Sequence, residues 1–337
     1  MKRTLKILFT ALAATMFPVR TLALTTLNGA GATFPYPIYS KWFDEYAKAK
    51  KNVQINYQSI GSGGGISQVI EGTVDFGATD GPMTDEQLKK APGALLHIPT
   101  VLGAVVPVFN IKGASELNLS AEALAGIFLG KITRWNEAAI QKANPKAKLP
   151  AAAITVVHRS DGSGTTFCFV DYLSKVSPEW GKQAGRGTSV NWPVGLGAKG
   201  NEGVAGMVKQ TPNSIGYVEL IYAMHNGLAH GAVQNSAGKF VKADMESVAS
   251  AASAAAKNMP KDFRVSITDA PGPKAYPIST FTWLLVYENN QDWRGAVLKD
   301  FLVWMLNEGQ KMAPQLGYAP LPPGVIAMVK KTIESVQ

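Results

Sequence analysis

The 337-residue chain carries 33 Lys and Arg against 24 Asp and Glu, a formal charge of +9, with 46% hydrophobic residues and a single cysteine, Cys168. One cysteine excludes an intramolecular disulfide, and four scattered histidines (His97, His158, His225 and His230) give no zinc-ligand spacing, so neither a metal nor a cofactor is expected. The basic residues form no dense run, which argues against nucleic acid and leaves a small anionic ligand open.

The chain opens MKRTLK and continues ILFTALAATMF, a basic start followed by an apolar run too short to cross a bilayer. This predicts a secretory signal peptide, residues 1–23, with Ala23 as the cleavage point; Arg20 close to the cut leaves the exact site open. Its removal takes Lys2, Arg3, Lys6 and Arg20 and no acid, so the formal charge falls from +9 to +5 over a remainder long enough for two domains. No later segment is long and apolar enough to span a membrane.

From Leu27 onward strand-like and helix-like segments alternate, which predicts an α/β protein with parallel strands and crossover helices. After NGAGATF, Pro35 suits a first helical turn, and Ile38, Tyr39, Trp42, Phe43 and Tyr46 fall on one helical face. VQINYQS alternates as a strand with Val53, Ile55 and Tyr57 on one side, and GSGGG leads into a helix. TVDFGATD reads as a strand ending at Asp80, and Thr84 with Gln87 forms a capping box for the helix after it. Three strand ends thus deliver Thr33 and Phe34, Ser62, and Asp80 near helix starts, where ligands of α/β sheets collect.

LLHIPTVLGAVVPVF has few charges and predicts buried strands crossing toward a second domain; SAEALAGIFLG reads as a helix capped at Ser120. ITVVHRSDGSGTT follows as a strand, a turn and a helix start. Such a turn aims free backbone N–H groups and the positive end of the helix dipole forward, so an anion is its natural occupant. Ser163 and Thr165 add hydroxyls, Gly162 and Gly164 permit close approach, and Arg159 offers a planar fork that grips an oxyanion with two bonds. Asp161 would repel an anion, and its expected task is to orient Arg159. A capped helix with a local surface ion pair accounts for the stretch equally well at this point. Cys168, inside the apolar run that follows, reads as a small buried hydrophobe. NEGVAGMVKQ, SIGYVEL and VASAASAAAKN read as helix, strand and helix, DAPGPKAYP as a connection back to the first domain, and STFTWLLVYE and WRGAVLKDFLVWMLNEG as a late strand and helix.

Other chemistry is excluded by position. GLGAKG at 195–200 is a literal GxGxxG, but VNWPV before it makes a poor central strand, so dinucleotide binding is rejected. No GxxxxGK[ST] occurs. Neither Ser62 nor Ser163 has the flanking glycines of a hydrolase elbow. His158 neighbours Arg159 on a strand, which points their side chains to opposite faces, and no catalytic base is left.

GAGATFP, SIGSGGG, VDFGATD and HRSDGSGTT, in that order, resemble the periplasmic phosphate-binding proteins of the phosphate-specific ABC transporter. The likeness extends through WPVGLGAKGNEGVAG and SIGYVEL to AYPISTFTWLLV. It implies a two-lobed type II periplasmic binding fold, each lobe a mostly parallel sheet flanked by helices, with lobe I at 24–100 and 271–337 and lobe II at 101–270. It further implies phosphate held in the cleft by Thr33, Phe34, Ser62, Asp80, Arg159, Ser163, Gly164 and Thr165, with Asp161 orienting Arg159. Gly63 departs from the pattern, since members often carry serine there. The same resemblance implies a periplasmic monomer that delivers inorganic phosphate to a membrane permease and has no catalytic residue. The alternatives are an exported phosphate-ester hydrolase and a surface interaction protein that keeps the fold.

Overall fold

The computed structural model describes residues 24–290 and 292–337, so the expected signal peptide lies outside the described residues. Strand β1 (Thr25–Gly31) leads to helix α1 (Tyr36–Ala49), whose Ile38, Tyr39, Trp42, Phe43 and Tyr46 are all buried, as their spacing predicts. Strand β2 (Val53–Ser59), helix α2 (Ser62–Ile70) and strand β3 (Phe76–Thr79) follow, then the single turn α3 (Asp85–Leu88), closed by the Thr84–Gln87 capping box. The apolar run after it is one strand of 16 residues, β4 (Leu95–Asn110), rather than several.

Next come β5 (Asn118–Leu119), α4 (Ala121–Phe128) with Ser120 as its cap, α5 (Ala138–Gln141), β6 (Thr155–Arg159), α6 (Gly164–Val176) and α7 (Pro178–Gln183). Then β7 (Leu196–Ala198), α8 (Gly200–Gln210), β8 (Ser214–Glu219), α9 (Leu220–Asn226), β9 (Ala229–His230), β10 (Ala232–Gln234), β11 (Phe240–Val241) and α10 (Met245–Ala256) complete the middle of the chain. The last part is β12 (Ser279–Tyr287), α11 (Trp293–Asn307), a 3-10 helix (Gly309–Leu316) and α12 (Pro323–Glu334).

One sheet runs through the molecule in the order β2-β1-β3-β12-β4-β8-β6-β7, with β9 also on β4. The parallel trio β2-β1-β3 lies at one end and β8-β6-β7 at the other, as the alternation of strands and helices predicts. Between them β12 and β4 run antiparallel to their neighbours. Residues Leu95 to Ala104 of β4 pair with β12, and Val105 to Asn110 pair with β8, so a single strand passes from one lobe into the other. The register of β12 shifts between Thr282 and Trp283, where Val101 and Pro99 are the respective partners and Thr100 is the extra residue. Pro99 has no N–H for the ladder, and the bulge beside it, on β4, falls where that bond would be missing.

The pairings β3-β12, β12-β4 and β4-β8 are all antiparallel, so the two trios run in opposite directions; because they join opposite halves of β4, their carboxyl ends face each other, and the turns after β1, β2, β3 and β6 meet there. Helix α1 is pinned to α11 through Phe301, whose ring centroid is 5.4 Å from Phe43 and 5.2 Å from Tyr46. The small sheet β11-β10-β5 escapes sequence reading because its strands, two or three residues each, are too short to alternate.

Helix α2 sits so close to the sheet that a Cβ on Gly65 would lie 2.6 Å from Gly31 Cα and 2.7 Å from the carbonyl oxygens of Ala30 and Ala78. All three atoms are backbone and cannot step aside. Gly65→Ala should therefore lower the midpoint of urea unfolding by the equivalent of about 1–3 kcal/mol, although alanine is the better helix former. An unchanged or raised midpoint would show that α2 can slide.

Candidate ligand-binding site

Arg159 closes β6 and is only 3% exposed. Its Nε donates to Asp161 Oδ1 (2.7 Å) and its Nη2 to Oδ2 (2.5 Å), while buried Nη1 has no partner among the described residues. Burial pushes the Asp161 carboxyl up, but Arg159 and the N–H of Gly200, 3.0 Å from Oδ1, outweigh it and hold the carboxyl below the usual range. The backbone of Arg159 is fixed in turn, its N–H donating to Tyr217 Oη, which lies 2.6 Å from Thr166 Oγ1.

The turn then enters α6 through its cap, Ser163, whose Oγ accepts from the N–H of Thr166 and whose own N–H donates to Thr188 O. Ser163, Gly164 and Thr165 are buried at the positive end of this 13-residue helix. Facing them, Ser62 begins α2, and its Oγ accepts both from the N–H of Gly164 (3.0 Å) and from that of Asp80 (3.2 Å). Gly164 and Ser62, both expected to face the ligand, are thus bonded to each other across the two lobes.

Asp80 is 1% exposed and follows β3. Thr282 donates to its Oδ1 (2.9 Å) and Ser62 weakly to its Oδ2 (3.5 Å). Burial pushes its carboxyl up to about 7, against the lowering effect of Thr282, Arg159 and Ser62. Its ion pair with Arg159 is not made, since Arg159 is turned to Asp161. Thr33 and Phe34 are buried on the turn after β1; the carbonyl of Thr33 accepts from Tyr222 Oη (2.6 Å) and that of Phe34 from Tyr318 Oη (2.7 Å). All eight residues expected to line a site converge on one buried interface between the lobes.

The lobes also touch backbone to backbone: Gly63 N–H donates to Gly162 O (2.8 Å), and a Cβ on Gly63 would stand 3.0 Å from Gly162 Cα. That close approach suits glycine at the position where the sequence departs from its likeness. His158 is stacked on Trp192 with centroids 4.8 Å apart, and its Nδ1 lies 3.0 Å from the carbonyl oxygen of Arg159. GLGAKG forms the short edge strand β7 on β6 and sends the Gly200 N–H to Asp161. Cys168 Sγ lies 3.4 Å from Asp80 O, a buried thiol whose pKa is pushed up by burial.

Sequence reading missed Thr282, Tyr217, Tyr222, Tyr318 and Asn201. The last is fully buried, donating to Thr33 Oγ1 (2.7 Å) and Thr165 Oγ1 (3.1 Å). The only local signal for it was a small polar residue just inside a helix start, after GLGAKG.

A family model described as a PBP superfamily domain matches residues 19–308. The phosphate-binding protein PstS of Xylella fastidiosa is 49% identical over 308 residues, covering 90% of this chain and 84% of its own. That of Pasteurella multocida is 47% identical over 319 residues, covering 92% and 91%. A solved phosphate-binding protein from Stenotrophomonas maltophilia superposes with a TM-score of 0.72 at 21% identity, over 91% of this chain and 93% of that one, a likeness of fold.

Asp80 binds its proton more tightly folded than unfolded. Its contribution therefore favours the folded state below about pH 4, the unfolded carboxyl's range, and is lost as pH rises through about 7. Without ligand, Asp80→Asn should gain stability over wild type between pH 4 and 8, by up to about 4 kcal/mol. Thermal melts of both proteins across that range check this, and parallel curves would place the Asp80 carboxyl in water.

Proposed function

The chain belongs to the PBP superfamily and, within it, to the phosphate-binding proteins PstS, and from that premise we propose that its cleft holds one dehydrated inorganic phosphate through the eight residues gathered there. The chain is the phosphate-binding component of a phosphate ABC transporter, and it passes its ligand to that transporter's membrane permease.

One observation carries the assignment of roles: two opposite charges are buried in one cleft without pairing, because Arg159 is turned to Asp161 and keeps Nη1 free while Asp80 has only hydroxyl partners. A ligand that fits between them must accept from a guanidinium and donate to a carboxylate. Phosphate does both, since at neutral pH it keeps at least one proton. Sulfate has none, and a buried carboxylate facing it would be left unpaired, at a cost of several kcal/mol. The hydroxyls of Thr33, Ser62, Ser163 and Thr165 and the N–H groups at Phe34 and Gly164 supply further donors, with Gly164 exchanging its bond to Ser62 for one to the ligand.

Lobe I is assigned to 24–100 and 271–337 and lobe II to 101–270, a division supported by the change of partner along β4 at Ala104 and Val105. The protein works as a monomer in the periplasm after cleavage near Ala23. Among the described residues no helix is long and apolar enough to cross a membrane. It binds without catalysis; His158, next to Arg159 in sequence, is stacked on Trp192.

Arg159→Lys keeps the charge but not the two-armed grip on Asp161, and phosphate affinity should fall roughly 100-fold by titration calorimetry. Unchanged affinity would remove Arg159 from the site. Asp80→Asn puts a donor where the ligand's proton was accepted. Phosphate binding should change modestly while sulfate gains, shrinking the phosphate-to-sulfate affinity ratio by about 100-fold or more in paired titrations at one pH and salt. A ratio that stays constant defeats the proton-reading role. Sustained turnover of a chromogenic phosphate ester would favour the hydrolase instead.

A further inference from the structure

Asn201 lies just inside the start of α8 with no exposed surface. Its amide orientation is settled by its neighbours. The N–H of Glu219 can only donate, and it stands 2.9 Å from Oδ1, so the oxygen must face it and the NH₂ group must face the other way. That group has two protons and two acceptors, Thr33 Oγ1 at 2.7 Å and Thr165 Oγ1 at 3.1 Å, one from each lobe. The backbone N–H of Asn201 also approaches Thr33 Oγ1, at 3.3 Å.

A hydroxyl has one proton and two lone-pair sites. Once its oxygen accepts from Asn201, its own proton must be donated elsewhere. We propose that Asn201 is a positioning residue for the phosphate site: it makes both threonine hydroxyls donors toward the ligand and ties the two lobes together through them. Thr33 Oγ1, which accepts from both the amide and the backbone N–H of Asn201, has no lone pair left for the ligand's proton, and Thr165 Oγ1 has one fewer, so that proton is left to Asp80. The bound anion is oriented, with unprotonated oxygens toward Thr33, Thr165 and Arg159 and the protonated one toward Asp80. Lobe II holds Thr33 at a second atom as well, its carbonyl, through Tyr222, whose helix α9 is capped by the side-chain carboxyl of Glu219. The amide therefore sits in a fixed frame.

The inference rests on phosphate as the ligand, and a double-mutant cycle tests it: wild type, Asn201→Ala, Thr33→Val with Thr165→Val, and all three changes together, each titrated with inorganic phosphate after a thermal melt. Asn201→Ala should weaken binding by about 10- to 100-fold in the wild-type background and add little once both hydroxyls are gone. If its cost is the same in both backgrounds, or nil in the first, the inference is overturned. Asn201→Asp, which keeps the shape, carries the same cycle if the alanine variant does not fold. A carboxylate there accepts the hydroxyl protons and turns them from the ligand, so its loss should exceed that of alanine and shrink in the valine background. Wild-type affinity from Asn201→Asp would likewise overturn the inference. Wild type that binds no phosphate would sink the functional reading itself, whereas binding with an additive cycle sinks only the role of Asn201.

Discussion

A guanidinium and a carboxylate buried in the same cleft attract each other strongly, and the site exists because Arg159 and Asp80 are kept from satisfying that attraction. Asp161 is the agent. By taking Nε and Nη2 of Arg159 it neutralises the cation within its own lobe, and Gly200 fixes the carboxylate that does so. A buried ion without a partner costs several kcal/mol, so Asp161 also removes the penalty that burial would otherwise place on Arg159. With Asp161 in place, what stays unmet in the cleft is the Nη1 group of Arg159 and a carboxyl on Asp80 that hydroxyls alone do not compensate. Charge neutrality inside one lobe is thus what leaves the cleft receptive.

The fold supplies the positions for this. The two parallel trios run in opposite directions and point their carboxyl ends at each other across the middle of β4, so short turns from β1, β2, β3 and β6 reach one point with little chain between them. The two antiparallel strands between the trios carry the finer adjustments. Thr282 reaches Asp80 from β12 beside the Thr100 bulge, whose hydroxyl bonds the Thr282 carbonyl (3.1 Å). The extra residue opposite Thr282 is therefore part of how a carboxylate two strands away is held.

How far the site could be read from sequence divides along a physical line. HRSDGSGTT declared its chemistry because a strand, a turn and a helix start are local: Asp161 meets Arg159 two positions away, and Ser163 caps the N–H of Thr166 three positions on. The face of α1 and the Thr84 cap were legible for the same reason. Asn201, Thr282, Tyr217, Tyr222 and Tyr318 were not, since each meets its partner far along the chain; the Thr33 carbonyl, for one, receives Tyr222. For the GLGAKG segment dinucleotide binding was rejected from sequence, but its contribution here, a backbone N–H for Asp161, depends on β7 joining β6 and was not legible. The antiparallel setting of β4 and β12 was also invisible, because an apolar run looks the same in either direction.

Strand β12 has one more consequence, in time rather than in space. It lies between β3 and β4, with Trp283 opposite both Thr79 and Pro99, so the sheet of the first lobe lacks an interior strand until residues 279–287 have been made. Everything between Asn110 and Ser279, an entire second lobe, is synthesised before that gap can be filled. Pairings this distant in sequence close slowly. The strands made early therefore pair among themselves but cannot be joined to β4 in one sheet until the chain is nearly complete.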